Sequence, residues 1–289
     1  MTTNEGSADV SAPLQPTGSD QGIDTGLPVP KLLERGAHST RDDWVASGRF
    51  AVDLLARTLG RSDLSDVSVL DVGCGTKVTK TLLDLGAPVG RYVGVDVSAD
   101  VIRWLQANVS DSRFEYHHLD ARNELYNPTG TPLEQVDQLP VAGERFDLLS
   151  LFSVFTHLDP QDYVSMLLLL RKHVKPDGRL VYSLFLPDPD RSESLEVALR
   201  RRLESGDPAE VEATKGAIAR ALAGDAGSAS ADERFVDEVP DRPLLVARYT
   251  EEYALELLQG TGWEVEALHP PVRSGTTTFI QHHLVCRPI

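Results

Sequence analysis

Residues 67–98 (VSVLDVGCGTKVTKTLLDLGAPVGRYVGVDVS) constrain the fold more than any other part of the chain. Val67, Val69, Leu70 and Val72 form a short apolar run suited to a parallel strand buried on both faces. Asp71, Gly73 and Gly75 follow at its carboxyl end. Without a Cβ, the two glycines let the backbone turn sharply and let a ligand approach it. A helix is predicted from about residue 78 to 85. Its free N–H groups and positive dipole end would face that ligand. Residues 92–97 read as the next strand, with Asp96 placed to accept two hydrogen bonds from ribose hydroxyls. The stretch therefore reads as a nucleoside pocket at the rim of an α/β sheet.

Two kinds of nucleoside site fit. A dinucleotide site asks for G-x-G-x-x-G, whose third glycine lets helix and strand pack closely over a pyrophosphate. Val78 occupies that position, which disfavours an NAD-dependent oxidoreductase. The alternative is S-adenosylmethionine (SAM). Acid-x-Gly-x-Gly over Asp71, Val72, Gly73, Cys74 and Gly75, then an acid ending the second strand, resembles the class I SAM-dependent methyltransferases. Lys77 stands where that family often has a third glycine.

The downstream order strengthens the resemblance. A helix over residues 100–108, capped by Ser98, leads to a third strand at 114–119, with Asp120 and Ala121 directly after it. In the family an acid there accepts from the adenine amino group, and the next backbone N–H reaches the ring. The other reading of Asp120 is a cap or turn residue. Residues 123–145 form a long loop in which Tyr126, Asn127, Pro128 and Gly130 resemble an element of one bacterial branch. Residues 146–152 are a fourth strand opening with the family's aromatic–Asp pair, and 153–158 share its rim. Residues 160–173 read as a helix, 175–179 as a tight turn, and 180–186 as the fifth strand. After a helix from Thr250, residues 263–268 and 276–286 resemble the family's closing hairpin. The resemblance implies a Rossmann-like, doubly wound, seven-stranded α/β sheet with an antiparallel last strand.

Around that core, residues 1–30 are rich in Ser, Thr, Gly, Pro and Asp and read as a disordered tail. Residues 31–289 are read as one methyltransferase domain. Residues 31–59 have helical spacing; Trp44, Ser47, Gly48 and Arg49 would either shape an acceptor pocket or pack as core. Residues 187–239 depart from the minimal pattern, with helical stretches at about 192–204 and 208–223. They are read as a substrate cap, with a solvated ornament or a dimer contact as the alternatives.

Composition narrows the class of activity. A net charge of −16 over 289 residues disfavours nucleic acid as the main partner. No apolar run approaches a membrane span. Cys74 and Cys286 make neither a disulfide framework nor a metal cluster, so no metal and a reducing, cytoplasmic setting are expected. A homodimer is left open.

A sulfonium methyl is already activated, so the protein's task is to position the acceptor and take its proton. His157, just beyond the fourth strand, is the candidate base, against a reading as a helix cap or a structural packing residue. His282 and His283 lie in a strand, one of them expected to face inward, and His117 and His118 precede Asp120. The resemblance implies cofactor contacts from Asp71, Gly73, Cys74, Gly75, Asp96, Val97, Asp120, Ala121, Ser150, Phe152 and Ser153. The expected activity is methyl transfer to a small molecule, more readily at a hydroxyl of a sugar or secondary metabolite. Transfer to nitrogen, sulfur or carbon, and a SAM-binding module without turnover, are the rivals.

Overall fold

The computed structural model describes residues 27–30, 33–34, 41–187, 234–237, 243–274, 277–279 and 281–289. Its centre is a seven-stranded sheet. In chain order these strands are β1 (Leu64–Val72), β2 (Val89–Asp96), β3 (Phe114–His118), β4 (Phe146–Leu151), β5 (Val174–Leu184), β8 (Trp263–His269) and β11 (His282–Pro288). Their spatial order is β3-β2-β1-β4-β5-β11-β8. β1 to β5 pair in parallel, whereas β11 runs antiparallel between β5 and β8. The strand order reverses between β1 and β4, where an open α/β sheet leaves a crevice at its carboxyl rim.

The central strands lack alternation because both faces are covered. On one face lie α1 (Arg41–Thr58), α2 (Lys77–Asp84) and α3 (Ala99–Asn108), packed over Val69, Tyr92 and Val285. On the other lie α4 (Pro160–Arg171) and α5 (Glu251–Leu257), over Leu70, Val93, Leu149 and Tyr182. Trp44 is buried in the first cluster beside Phe50, Leu54 and Leu55, which settles its role as core. Packed chain already begins within the 1–30 stretch. Leu27 and Val29 are buried, Lys80 Nζ donates to the Leu27 carbonyl (3.1 Å), and Thr76 Oγ1 donates to the Leu33 carbonyl (3.0 Å).

Several boundaries differ from those read in the sequence. Ser98 precedes α3, but its hydroxyl makes no cap hydrogen bond. Asp159 and Thr250 do cap α4 and α5, accepting from Asp162 N and Tyr253 N. The Lys175–Arg179 turn is absorbed into β5, which starts at Val174 and absorbs the extra residues as a bulge opposite β4. The 123–145 connection is packed rather than open. It carries a 3₁₀ turn at Leu133–Gln135 and buries Leu139 and Val141. The last strand divides: β10 (Thr277–Phe279) pairs with β9 (Val272–Ser274), and β11 follows. The two helical stretches expected at 192–204 and 208–223 lie outside the described residues. The end of the 187–239 segment returns as β6 (Phe235–Asp237), antiparallel to β7 (Ala247–Tyr249). Among the described residues no helix is long and apolar enough to cross a membrane.

Candidate active site

The turn after β1 is held by its neighbour β2. Gly73 N and Cys74 N both donate to the Val95 carbonyl, at 2.7 and 3.1 Å. Gly75 N donates to Asp96 Oδ2 (2.9 Å), and Ser98 N donates to Asp96 Oδ1 (2.8 Å). Gly73 and Gly75 sit at φ of +73° and +49°, in the left-handed region that favours glycine. Their surroundings differ. A Cβ on Gly73 would meet Val154 Cγ2 at 2.3 Å, whereas one on Gly75 would meet nothing within 4 Å. Gly73 is thus the point where the loop after β4 presses on the turn, and Gly75 faces open space.

Asp71 and Ser150, two of the residues read from the sequence, face each other inside the sheet. They are 2 % and 0 % exposed. Asp71 Oδ1 accepts from the Ser150 hydroxyl (2.7 Å) and Oδ2 from the Tyr92 hydroxyl (2.5 Å), so the carboxylate braces β1 against β2 and β4 from beneath the rim. Burial pushes the Asp71 carboxyl up to about 6, partly offset by those two donors. Burial likewise pulls Lys77 down to about 8, with Asp71 acting against that shift. For Asp71 the folded value lies above the unfolded one, so ionisation favours unfolding. The penalty is absent below the ordinary carboxyl value of 3.8 and fully present above about 6. It amounts to about 3 kcal/mol. A ¹³C NMR titration of the Asp71 carboxyl is expected to show a midpoint near 6; a midpoint below 4 would mean the two hydroxyls outweigh burial.

The remaining residues read from the sequence lie along the rim. Val97 is partly exposed, and Asp120 is exposed after β3. Asp120 Oδ1 accepts from Asn127 Nδ2 (3.0 Å), and the same amide donates to the Ala121 carbonyl (3.1 Å). The Asn127 element thus folds the loop back over Asp120 and the buried Ala121. Cys74 is buried, and its thiol is held well above its ordinary pKa by burial, so it is not a nucleophile at neutral pH. Phe152 is partly exposed. Ser153, at φ +58°, donates its N–H to Ser183 Oγ (2.8 Å). His157 ends a 3₁₀ turn, Phe155–His157, and its Nδ1 lies 3.0 Å from the Leu244 carbonyl. Its ring meets that of Tyr126 edge-on, centroids 6.4 Å apart.

Tyr92, Val154 and Ser183 shape this rim and were not singled out in the sequence. No local signal marks them: each is an ordinary strand or loop residue whose partner lies far along the chain. Among the described residues no group of three or more His, Cys, Asp or Glu could hold a metal ion.

A methyltransferase-domain family model matches residues 43–268, well over half of the chain. The chain belongs to the SAM-dependent methyltransferases. Solved structures similar to this methyltransferase include the 1,6-didemethyltoxoflavin N1-methyltransferase of Burkholderia thailandensis, with S-adenosylhomocysteine bound, at 17 % identity and TM-score 0.49, covering 86 % of this chain and 81 % of that one. A SAM-dependent methyltransferase from Methanosarcina mazei matches at 14 % identity and TM-score 0.44, covering 78 % and 93 %. Mitomycin 7-O-methyltransferase matches at 16 % identity and TM-score 0.45, covering 78 % of this chain and half, 50 %, of that one. SAM is the cofactor of this methyltransferase. The rim fits such a group: Gly75 leaves an open cradle beside the Asp96 carboxylate, at the reversal of strand order.

Proposed function

We propose that this methyltransferase methylates a hydroxyl of a small molecule, a sugar or secondary metabolite, with His157 as general base. The high negative charge of the chain argues against a polyanionic acceptor. On this reading Gly73, Cys74, Gly75, Asp96, Val97, Asp120, Ala121, Phe152 and Ser153 line the cofactor's groove. Asp71 and Ser150 brace it from below. Bound SAM supplies a methyl on sulfonium, already activated for displacement.

The observation that carries the base assignment is the His157 hydrogen bond. Nδ1 lies 3.0 Å from a carbonyl oxygen, which can only accept. The proton is therefore assigned to Nδ1, and Nε2 is left as the basic nitrogen. This is the tautomer that takes a proton from an alcohol. His157 stands three residues beyond Val154, which rests on Gly73, so it belongs to the loop that borders the glycine turn.

Turnover is measured with methyl-labelled SAM against a panel of hydroxyl, amine and thiol acceptors. His157→Ala is expected to lower kcat on hydroxyl acceptors about a hundredfold, with S-adenosylhomocysteine affinity unchanged. Full activity of His157→Ala would remove the base. Transfer confined to amines or thiols would move the reading to N- or S-methylation, and SAM binding without turnover on any acceptor would make the chain a non-catalytic module.

A further inference from the structure

Beside His157 a leucine holds a backbone that leucines avoid. Leu244, in the turn between β6 and β7, has φ +58°. The left-handed region crowds the Cβ of an L-residue, so a bulky side chain enters it only where its surroundings require it. Strain of this kind gathers at functional sites. Here the N–H and the carbonyl of Leu244 are both engaged. The N–H donates to Asp237 Oδ2 (2.9 Å), and the carbonyl accepts from His157 Nδ1 (3.0 Å). Two side chains far apart in the sequence thus meet through the backbone of one residue.

Both ends of this line are mounted on one frame. β6 and β7 pair so that Asp237 lies opposite the buried Ala247. Tyr249 N donates to the Phe185 carbonyl (3.2 Å), just past β5. The buried Tyr249 hydroxyl donates to the Leu158 carbonyl (2.6 Å), one residue after His157. The Phe235 and Tyr249 rings pack together, centroids 5.1 Å apart. From the 123–145 connection the Tyr126 ring meets His157 edge-on. His157 is partly exposed and Tyr126 is 42 % exposed, so a solute can reach this place.

In water a neutral imidazole favours its proton on Nε2. A carbonyl at Nδ1 reverses that preference, because a carbonyl only accepts. The reversal lasts while the carbonyl points at the ring. A leucine released from its left-handed turn would relax to a commoner backbone and swing the carbonyl away.

We propose that Asp237 is a positioning residue for methyl transfer: it holds Leu244 in its left-handed turn, so that the Leu244 carbonyl keeps the His157 proton on Nδ1 and Nε2 basic. This rests on the reading of His157 as general base and adds what orients it. When the acceptor hydroxyl gives its proton to Nε2, the acceptor oxygen takes the methyl of SAM and S-adenosylhomocysteine is released. The imidazolium so formed keeps its Nδ1–H on the Leu244 carbonyl. That hydrogen bond strengthens as the ring gains charge. An interaction that strengthens towards the transition state acts on kcat rather than on KM. The end of the 187–239 stretch thereby serves the base.

The test uses the full chain loaded with S-adenosylhomocysteine and labelled with ¹⁵N at its histidine rings, where the two nitrogens of His157 report which of them carries the proton. In the wild type the proton is expected on Nδ1. In Asp237→Ala it is expected to move mainly to Nε2, with S-adenosylhomocysteine affinity within about twofold. On whichever hydroxyl acceptor of the panel above turns over fastest, Asp237→Ala should lower kcat about tenfold and leave KM within about twofold. Asp237→Asn keeps an oxygen that accepts from Leu244 N–H, so it should restore both the tautomer and kcat. A proton on Nε2 in the wild type, or an unmoved tautomer in Asp237→Ala beside an inactive His157→Ala, would overturn this proposal alone. Full activity of His157→Ala would overturn the base reading, and this proposal with it. With no acceptor turning over, the ring resonances decide. Should Asp237→Ala fail to fold, Asp237→Ser, whose hydroxyl is one bond too short to reach Leu244 N, is read in its place.

Discussion

Asp96→Ala is expected to weaken S-adenosylhomocysteine binding by about three orders of magnitude, read by isothermal titration calorimetry. Each carboxylate oxygen of Asp96 already accepts one backbone N–H, from Gly75 and from Ser98. An ionised carboxyl oxygen can accept a second hydrogen bond, so the group can fasten the turn and clasp a ribose at once. Hydrogen bonds to a charged group contribute about 1.5–3 kcal/mol each, and two of them correspond to roughly a thousandfold in affinity. The truncation also leaves the Gly75 and Ser98 N–H groups without their acceptor, so the free protein should lose about 1 kcal/mol of stability. Asp96→Asn should fall between, because its amide NH₂ must face one of those two donors. Undiminished affinity in Asp96→Ala would end the assignment of Asp96 to the ribose.

Gly73→Ala is expected to lower the free energy of unfolding by about 3 kcal/mol in urea titration. The left-handed backbone at φ +73° costs an L-residue roughly 1–2 kcal/mol. The new methyl would stand 2.3 Å from Val154 Cγ2, and overpacking of that kind costs about 1–3 kcal/mol more. The double variant with Val154→Ala should recover the steric share and leave the backbone share. Gly75→Ala provides the contrast. With nothing within 4 Å of its added Cβ, it should cost the free protein only about 1 kcal/mol. Yet that methyl would fill the space that faces the cofactor, so S-adenosylhomocysteine binding should fall steeply. Normal binding by Gly75→Ala would show that the open side of the turn is not the cradle.

The glycine turn, the acid ending β2 and the strand–helix alternation could be read from the sequence because each is written locally. Asp71, Gly73, Gly75 and Asp96 lie within one strand–turn–helix–strand unit, and the apolar runs around them are unbroken. What could not be read depends on distant partners. Asp71 looks like a binding residue beside the glycines. Only when β2 and β4 flank β1 do Tyr92 and Ser150 reach its two oxygens and turn it into a brace. The start of β5 was hidden for a different reason. Pro176-Asp177-Gly178 has the chemistry of a turn, and only the pairing of Val174 with Phe146 draws the segment into the sheet through a bulge. His282 and His283 show that one of two neighbours must face inward, but not which. The register of β11 against Ser183 and His269 decides for His283.

The position of β11 also dictates the timing of assembly. It is the last of the seven strands to be synthesised, yet it occupies an interior slot between β5 and β8. Until residues 282–288 arrive, one edge of β5 and one of β8 expose unpaired amides to solvent and to other nascent chains. Roughly a hundred residues separate Leu184 from His282, so closing that gap carries the entropy of a long loop and makes the pairing a late folding event. The strand that completes the sheet also packs His283 against Phe50 and Phe152, so a growing chain would acquire that contact between α1 and the end of β4 only in the same step that seals its core.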